Sequence, residues 1–519
     1  MSGMRSAFLL FYFLFSLSLY GQETIDPAII EKIRTEAFNN SSVMNTAFYL
    51  TDVSGSRLTG SAGWDRAASW AKNQLTNWGI KNVTFEKWGE FGKGWEVERC
   101  YLAMTSPYYQ SIPALPLAYT AGTKGKSFLK GQVLLLNPKD TNDLKQYEGK
   151  IKNKIVLAGD RPLFYPLISF QPSARRFDDK SLEAMKAKDY FTKFFLSVQS
   201  DSSRKARLQR SVLQNRVNRL IQDEQPSLTL WLGGSNGNLF ADGGEGYKKD
   251  SAVKPATLMV AYEDFQKIQR LINAGIPVTI EADVKTKFHT SDINGYNVIA
   301  EFQGTDPLLK DEVVMLGAHL DSWHGGTGAT DNAAGSAIML EAMRILTSIG
   351  ISPRRTIRLV LWNAEEQGTL GSEAYVKAHF ADPKSMIRKP EYEKVSVYYN
   401  LDNGTGKIRG IYAQGNEAVL PIFNQWLDHF KDFGAGSVTI INTGGTDHDS
   451  FDAVGIPAFQ FIQDPIEYSN KTHHTTSDTY DHLLPEDLKQ SAMIVAAFVY
   501  QSAQRNELLP RREMPEPTR

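Results

Sequence analysis

Residues 313–335 read VVMLGAHLDSWHGGTGATDNAAG. The first four, Val313 to Leu316, form an apolar run of strand-forming residues, the pattern of a strand buried on both faces. Gly325, Gly326 and Gly328 interrupt the run, and a helical pattern occupies Ala333 to Ile349. Strand, Gly-rich loop and helix predict one step of an α/β sheet. Working outward, similar strands are expected at Asn297–Phe302 (NVIAEF), Ile357–Trp362 (IRLVLW) and Val395–Leu401 (VSVYYNL), with a further helix over Ser372–Ala381. Short apolar strands alternating with helices predict a central sheet with helices on both faces, and sites form at the ends of such strands.

The rest of the chain bounds the reading. With 519 residues, 42% hydrophobic and 22% charged, the composition is that of a folded protein of roughly two to four domains. Lys and Arg total 57 against 58 Asp and Glu, a net charge of −1, so no global field favours nucleic acid or an anionic membrane. The single cysteine, Cys100, forms no intramolecular disulfide or thiolate cluster, which leaves His, Asp and Glu as metal donors. Arg5 followed by the apolar run Ala7–Leu19 and Gly21 has the order of a secretory signal over 1–22, predicting a periplasmic or secreted protein with no stable membrane insertion after signal removal. Helices are expected over Pro27–Phe38 and Gly63–Trp78, a strand over Val83–Trp88, and further strands at Gln132–Leu136 and Lys154–Leu157. Lys180–Asp223 reads as a long polar helical stretch in which Leu208, Val212, Leu213, Val217 and Leu220 make an apolar stripe beneath a basic face. The polar, Pro-rich end, 506–519, reads as frayed.

Acids and histidines fall at the expected strand ends. His319 and Asp321 lie just past Val313–Leu316, with a spacing that puts a carboxylate within reach of the imidazole. Asp331 precedes the helix from Ala333, where an N-cap would also explain it. The glycines before it are not followed by the Lys-Ser or Lys-Thr of a phosphate loop. Glu365 and Glu366 stand together after Ile357–Trp362; two buried glutamates repel unless a cation sits between them or one is protonated. A metal resolves the conflict if one glutamate binds it and the other stays free as a base. Asp402 ends the next strand, and His448, His473 and His474 fall in later loops. Together these are nitrogen and oxygen donors suited to zinc.

The segments GAHLDSWHGGTGATDNAAG, RLVLWNAEEQGTLGS, YYNLDNGTG, GGTDHDSF and HHTTSDT, in that order, resemble the co-catalytic zinc exopeptidase family that includes bacterial leucyl aminopeptidases, glutamate carboxypeptidase and carboxypeptidase Q, closest to the last branch. SRLTGSAGWDRAASW (Ser56–Trp70) resembles the family's N-terminal piece. The resemblance implies a peptidase domain split into 23–115 and 286–505 around an inserted, β-rich, protease-associated-like unit at 116–285 with a helical elaboration. It implies two zinc ions: His319 and Asp402 on one, Glu366 and His474 on the other, Asp331 bridging across a cis peptide to Asn332. Glu365 becomes the general base, Asp321 orients His319, and His448 contacts substrate. His474 rather than His473 is chosen because His474-Thr475 with Asp478 fits the family's register. The implied reaction is hydrolysis of a terminal peptide bond in a peptide substrate by zinc-activated water. Aminopeptidase and carboxypeptidase polarity both stay open, as do monomer and homodimer. A glutaminyl cyclase-like acyltransferase with one zinc and a receptor-like binding protein with none are the alternatives.

Overall fold

In the computed structural model, residues 23, 25–125, 127–159, 167–187 and 201–517 are described, those at 201–207 by backbone alone. The expected signal at 1–22 and part of the helical elaboration, 188–200, lie outside them. Among the described residues no helix is long and apolar enough to cross a membrane.

Two eight-stranded sheets organise the chain. In the first, the spatial order is Lys81–Glu90, Asn294–Phe302, Thr356–Trp362, Val313–His319, Val395–Asn400, Ala458–Gln463, Ile408–Tyr412, Ser437–Thr439. Its four central strands, Thr356–Trp362 to Ala458–Gln463, run parallel, and antiparallel pairs flank them on both sides. Val313–His319 is buried at every position, and its alternating side chains sort into two cores. Val314, Leu316 and Ala318 meet helices Ala334–Ser348 and Pro485–Gln504, while Val313 and Met315 pack with Tyr375, Phe380 and Phe451 on the opposite face. This double burial is why the strand reads as an unbroken apolar run. Because the central strands are parallel, His319, Asp402 and the turn after Trp362 emerge at one edge. The N-terminal piece joins the same sheet: Lys81–Glu90 pairs with Asn294–Phe302, and helix Ala62–Asn77 packs into the first core.

The second sheet runs Gln110–Ser111, Gly94–Ser106, Thr279–His289, Leu129–Leu136, Ile155–Ala158, Leu228–Leu232, Thr257–Val260, Ala114–Pro116. Leu102, Leu157, Leu230, Leu258 and Ile280 form its core with Phe265 and Ile268 of helix Tyr262–Asn273. It begins at Gly94 and ends at His289, outside the expected limits of 116 and 285. The reason is that the entering strand Gly94–Ser106 and the leaving strand Thr279–His289 pair antiparallel along most of their length.

Two further expectations change. Helix Asp201–Glu224 buries Val217 and Ile221 against Leu136 and Val156, but Leu208 is 67% exposed and Val212 is exposed too, so the expected stripe covers only the helix's later turns. The end expected to fray from 506 onward is anchored over 509–512. Leu509 is buried in the first core, Asn416 Nδ2 donates to the Pro510 carbonyl, and Arg512 pairs with Asp452 at 2.6 Å. These anchors lie far away in sequence, where local composition carries no trace of them.

Candidate metal centre

The strand end at His319 supplies the first donor. His319 is fully buried; its Nδ1 faces the backbone carbonyl of Asp321 at 3.0 Å, and its Nε2 lies 3.3 Å from Asp331 Oδ1 and 3.4 Å from Asp402 Oδ1. The second donor group forms around His474, whose Nε2 is 3.2 Å from Asp331 Oδ2 and 3.0 Å from Glu366 Oε2. Asp331 thus turns one carboxylate oxygen toward each histidine. The peptide linking it to Asn332 is cis, as the resemblance implied. Glu366 is fixed by its other oxygen, which accepts from the Trp323 N–H at 3.1 Å.

The structure revises the part expected of Asp321. Its carboxylate is 3.8 Å from His319 Nδ1, and the ring is held by the Asp321 carbonyl instead. The carboxylate accepts from the backbone N–H groups of Glu365 and Glu366, at 3.2 and 3.3 Å, and faces the Thr59 hydroxyl at 3.3 Å. It therefore fixes the turn that presents both glutamates. That turn opens with Ala364 at φ 61, a left-handed conformation uncommon for a residue with a side chain.

Glu365 offers an oxygen within 4.8 Å of donor atoms of His319 and Asp402 but takes no part in the His474 group. His473 stacks on His474 with ring centroids 3.8 Å apart, and its Nε2 stands 3.8 Å from Asp331 Oδ2. Both histidines share a candidate metal group with Asp331, and His474 lies closer to that carboxylate and also meets Glu366. His448 is fully buried, with Nε2 on the Thr443 carbonyl at 3.0 Å, and belongs to none of the candidate metal groups. Two buried residues absent from the sequence-based set also approach: Arg57, whose guanidinium donates to four backbone carbonyls, and Asp447 beside Glu365. SRLTG, already marked by resemblance, was the one sequence signal for Arg57.

Electrostatics sharpen the picture. Burial lifts the Glu365 carboxyl well above the usual range, and Asp402, Asp447 and Glu366 add to the rise against the pull of His319. Burial and Asp331 push Glu366 up to about 8. Burial opposes charge on His474, yet Asp331 and Glu366 outweigh it and raise the imidazole to about 11. Acids crowded this closely in a buried site are stabilised by added positive charge. The donors suit zinc: two imidazoles and three carboxylates, with His319 Nε2 and Asp331 Oδ2 buried and without a hydrogen-bond partner.

Carboxylates and imidazoles thus converge beside the carboxyl ends of the parallel strands. Residues 297–499 match the family model described as Peptidase family M28. It is 30% identical over 263 residues to carboxypeptidase Q of Mus musculus, an alignment covering 51% of this chain and 53% of the mouse protein. The chain thus spans about half the length of that relative. The crystal structure of a peptidase M28 precursor from Shewanella amazonensis SB2B superposes with a TM-score of 0.67 at 24% identity, covering 94% of this chain and 98% of that one. A zinc aminopeptidase from Bacillus subtilis superposes with a TM-score of 0.54 at 20% identity, covering 89% and 95%. At these identities the two structures show the fold.

Proposed function

We propose that the chain is an exported zinc metallo-exopeptidase that hydrolyses a terminal peptide bond of peptide substrates. The observation that carries this reading is the split presentation of Asp331, with Oδ1 toward His319, which also meets Asp402, and Oδ2 toward His474, which also meets Glu366. His319 and Asp402 would hold one ion, Glu366 and His474 the other, and Asp331 both. The two zinc ions, when bound, supply Lewis acidity toward the scissile carbonyl and toward water. Glu365, raised in pKa and left outside the His474 group, accepts the proton of the attacking water and delivers it to the leaving nitrogen. Asp321 holds the backbone at Glu365 and Glu366, and through its own carbonyl the ring of His319. The apolar run at 7–19 supports export to a periplasm or the outside.

The test is metal removal and return at two pH values. Chelator-treated protein is expected to lose hydrolysis of free peptides and regain it with two equivalents of zinc. Zinc has to displace protons from His474 and Glu366, whose pKa values lie at about 11 and about 8. Binding therefore releases protons, and affinity rises with pH by about tenfold per unit for each proton released. Zinc uptake tighter at pH 6 than at pH 8, or full turnover in the chelated protein, would contradict the reading. Parallel digests of N-blocked and C-blocked peptides read which terminus is shortened.

A further inference from the structure

Asp331 sits at the end of a loop whose glycines, Gly325, Gly326 and Gly328, give it little stiffness of its own. Yet its carboxylate must face two positions at once, so its backbone has to be fixed from outside the loop. Two side chains do this. Arg57 donates to the carbonyls of Leu320, Thr327 and Gly328 at 2.7, 2.5 and 2.8 Å. Asp478 is 3% exposed, and its carboxylate accepts from the Thr330 N–H at 2.6 Å, the Thr330 hydroxyl at 2.8 Å and the Asp331 N–H at 3.1 Å.

The backbone of Asp478 grips the same loop. Its carbonyl accepts from the Thr327 N–H at 2.8 Å, and a Cβ on Gly326 would stand 2.4 Å from that oxygen. The Thr330 hydroxyl also meets Thr472 at 2.8 Å. Thr472 and Asp478 lie on either side of His474 in sequence, so Thr330 joins the loop bearing the shared carboxylate to the loop bearing the histidine.

We propose that Asp478 is a positioning residue for Asp331, setting the rotation at which that carboxylate faces both ion positions. The inference rests on the two-zinc reading above. The two oxygens of Asp478 serve N–H groups on consecutive residues, and this is the feature an amide cannot copy. In Asp478→Asn one oxygen remains and the NH2 confronts a backbone donor, so either Thr330 or Asp331 loses its acceptor at almost unchanged volume.

Zinc-loaded wild type and Asp478→Asn are dialysed against graded concentrations of a competing chelator, and zinc per chain is measured by elemental analysis. The visible spectrum of the cobalt-substituted protein, which follows ligand geometry, is the second readout. The variant is expected to release zinc at about 10–100-fold lower chelator strength, the usual cost of losing a partner behind a ligand, with an altered cobalt spectrum and an unchanged far-ultraviolet circular dichroism spectrum. Thr330→Val, which removes only the hydroxyl, is expected to lose several-fold and carries the test if Asp478→Asn does not fold. Wild-type zinc retention in the folded variant overturns the inference alone. A wild type that takes up no zinc overturns the two-zinc reading and the inference together.

Discussion

Glu365→Gln is expected to lower kcat by about 10²–10⁴-fold, about 3–5 kcal/mol of barrier, while the protein keeps two zinc ions per chain. The amide fills the same volume and leaves the backbone N–H on the Asp321 carboxylate, so the turn carrying Glu366 stays in place. What disappears is a proton acceptor of raised pKa within 4.8 Å of the His319 and Asp402 donor atoms. Glu365 is not among the residues assigned to hold an ion, so metal retention is not expected to suffer. Zinc content and steady-state kinetics on the same preparation check both halves. Near-normal turnover would show that another group moves the proton.

Asp331→Asn is expected to act differently, reducing both metal and activity. An amide offers one oxygen, and its nitrogen has no lone pair to donate, so one of the two positions next to His319 and His474 loses a ligand. Elemental analysis is expected to show one zinc or fewer per chain, with turnover below that of Glu365→Gln. The contrast separates a ligand from a base: Glu365→Gln keeps metal and loses turnover, whereas Asp331→Asn loses both. Two zinc ions retained in Asp331→Asn would remove this residue from the bridging role.

The parts of the molecule legible in the sequence are those where local pattern and tertiary role coincide. Val313–His319 and Thr356–Trp362 are buried on both faces, so the strands that carry the site read as apolar runs with acids or histidines at their ends. The cis link after Asp331 matches what the family resemblance implied, while the candidate donor groups also bring in His473 and Glu365. Less legible is whatever depends on a partner distant in sequence. The Asp321 spacing suggested a carboxylate on His319, but the side chain turns to the Glu365–Glu366 backbone, 44 and 45 residues away. Strand Gly94–Ser106 contains the polar stretch Glu96-Val97-Glu98-Arg99 and finds its mate at Thr279–His289, so its place in the second sheet is invisible to local periodicity. Leu509 likewise looks like part of a Pro-rich end until the core it enters is known.

Anomalous diffraction at the zinc edge, on crystals grown with zinc, decides between the three classes this fold can serve. Two peaks are expected, one about 2.0–2.2 Å from His319 Nε2 and Asp402 and the other at the same range from His474 Nε2 and Glu366, with Asp331 reaching both. A single peak would favour a one-zinc acyltransferase. No peak at His319 and His474 would leave a binding protein and contradict the hydrolytic reading.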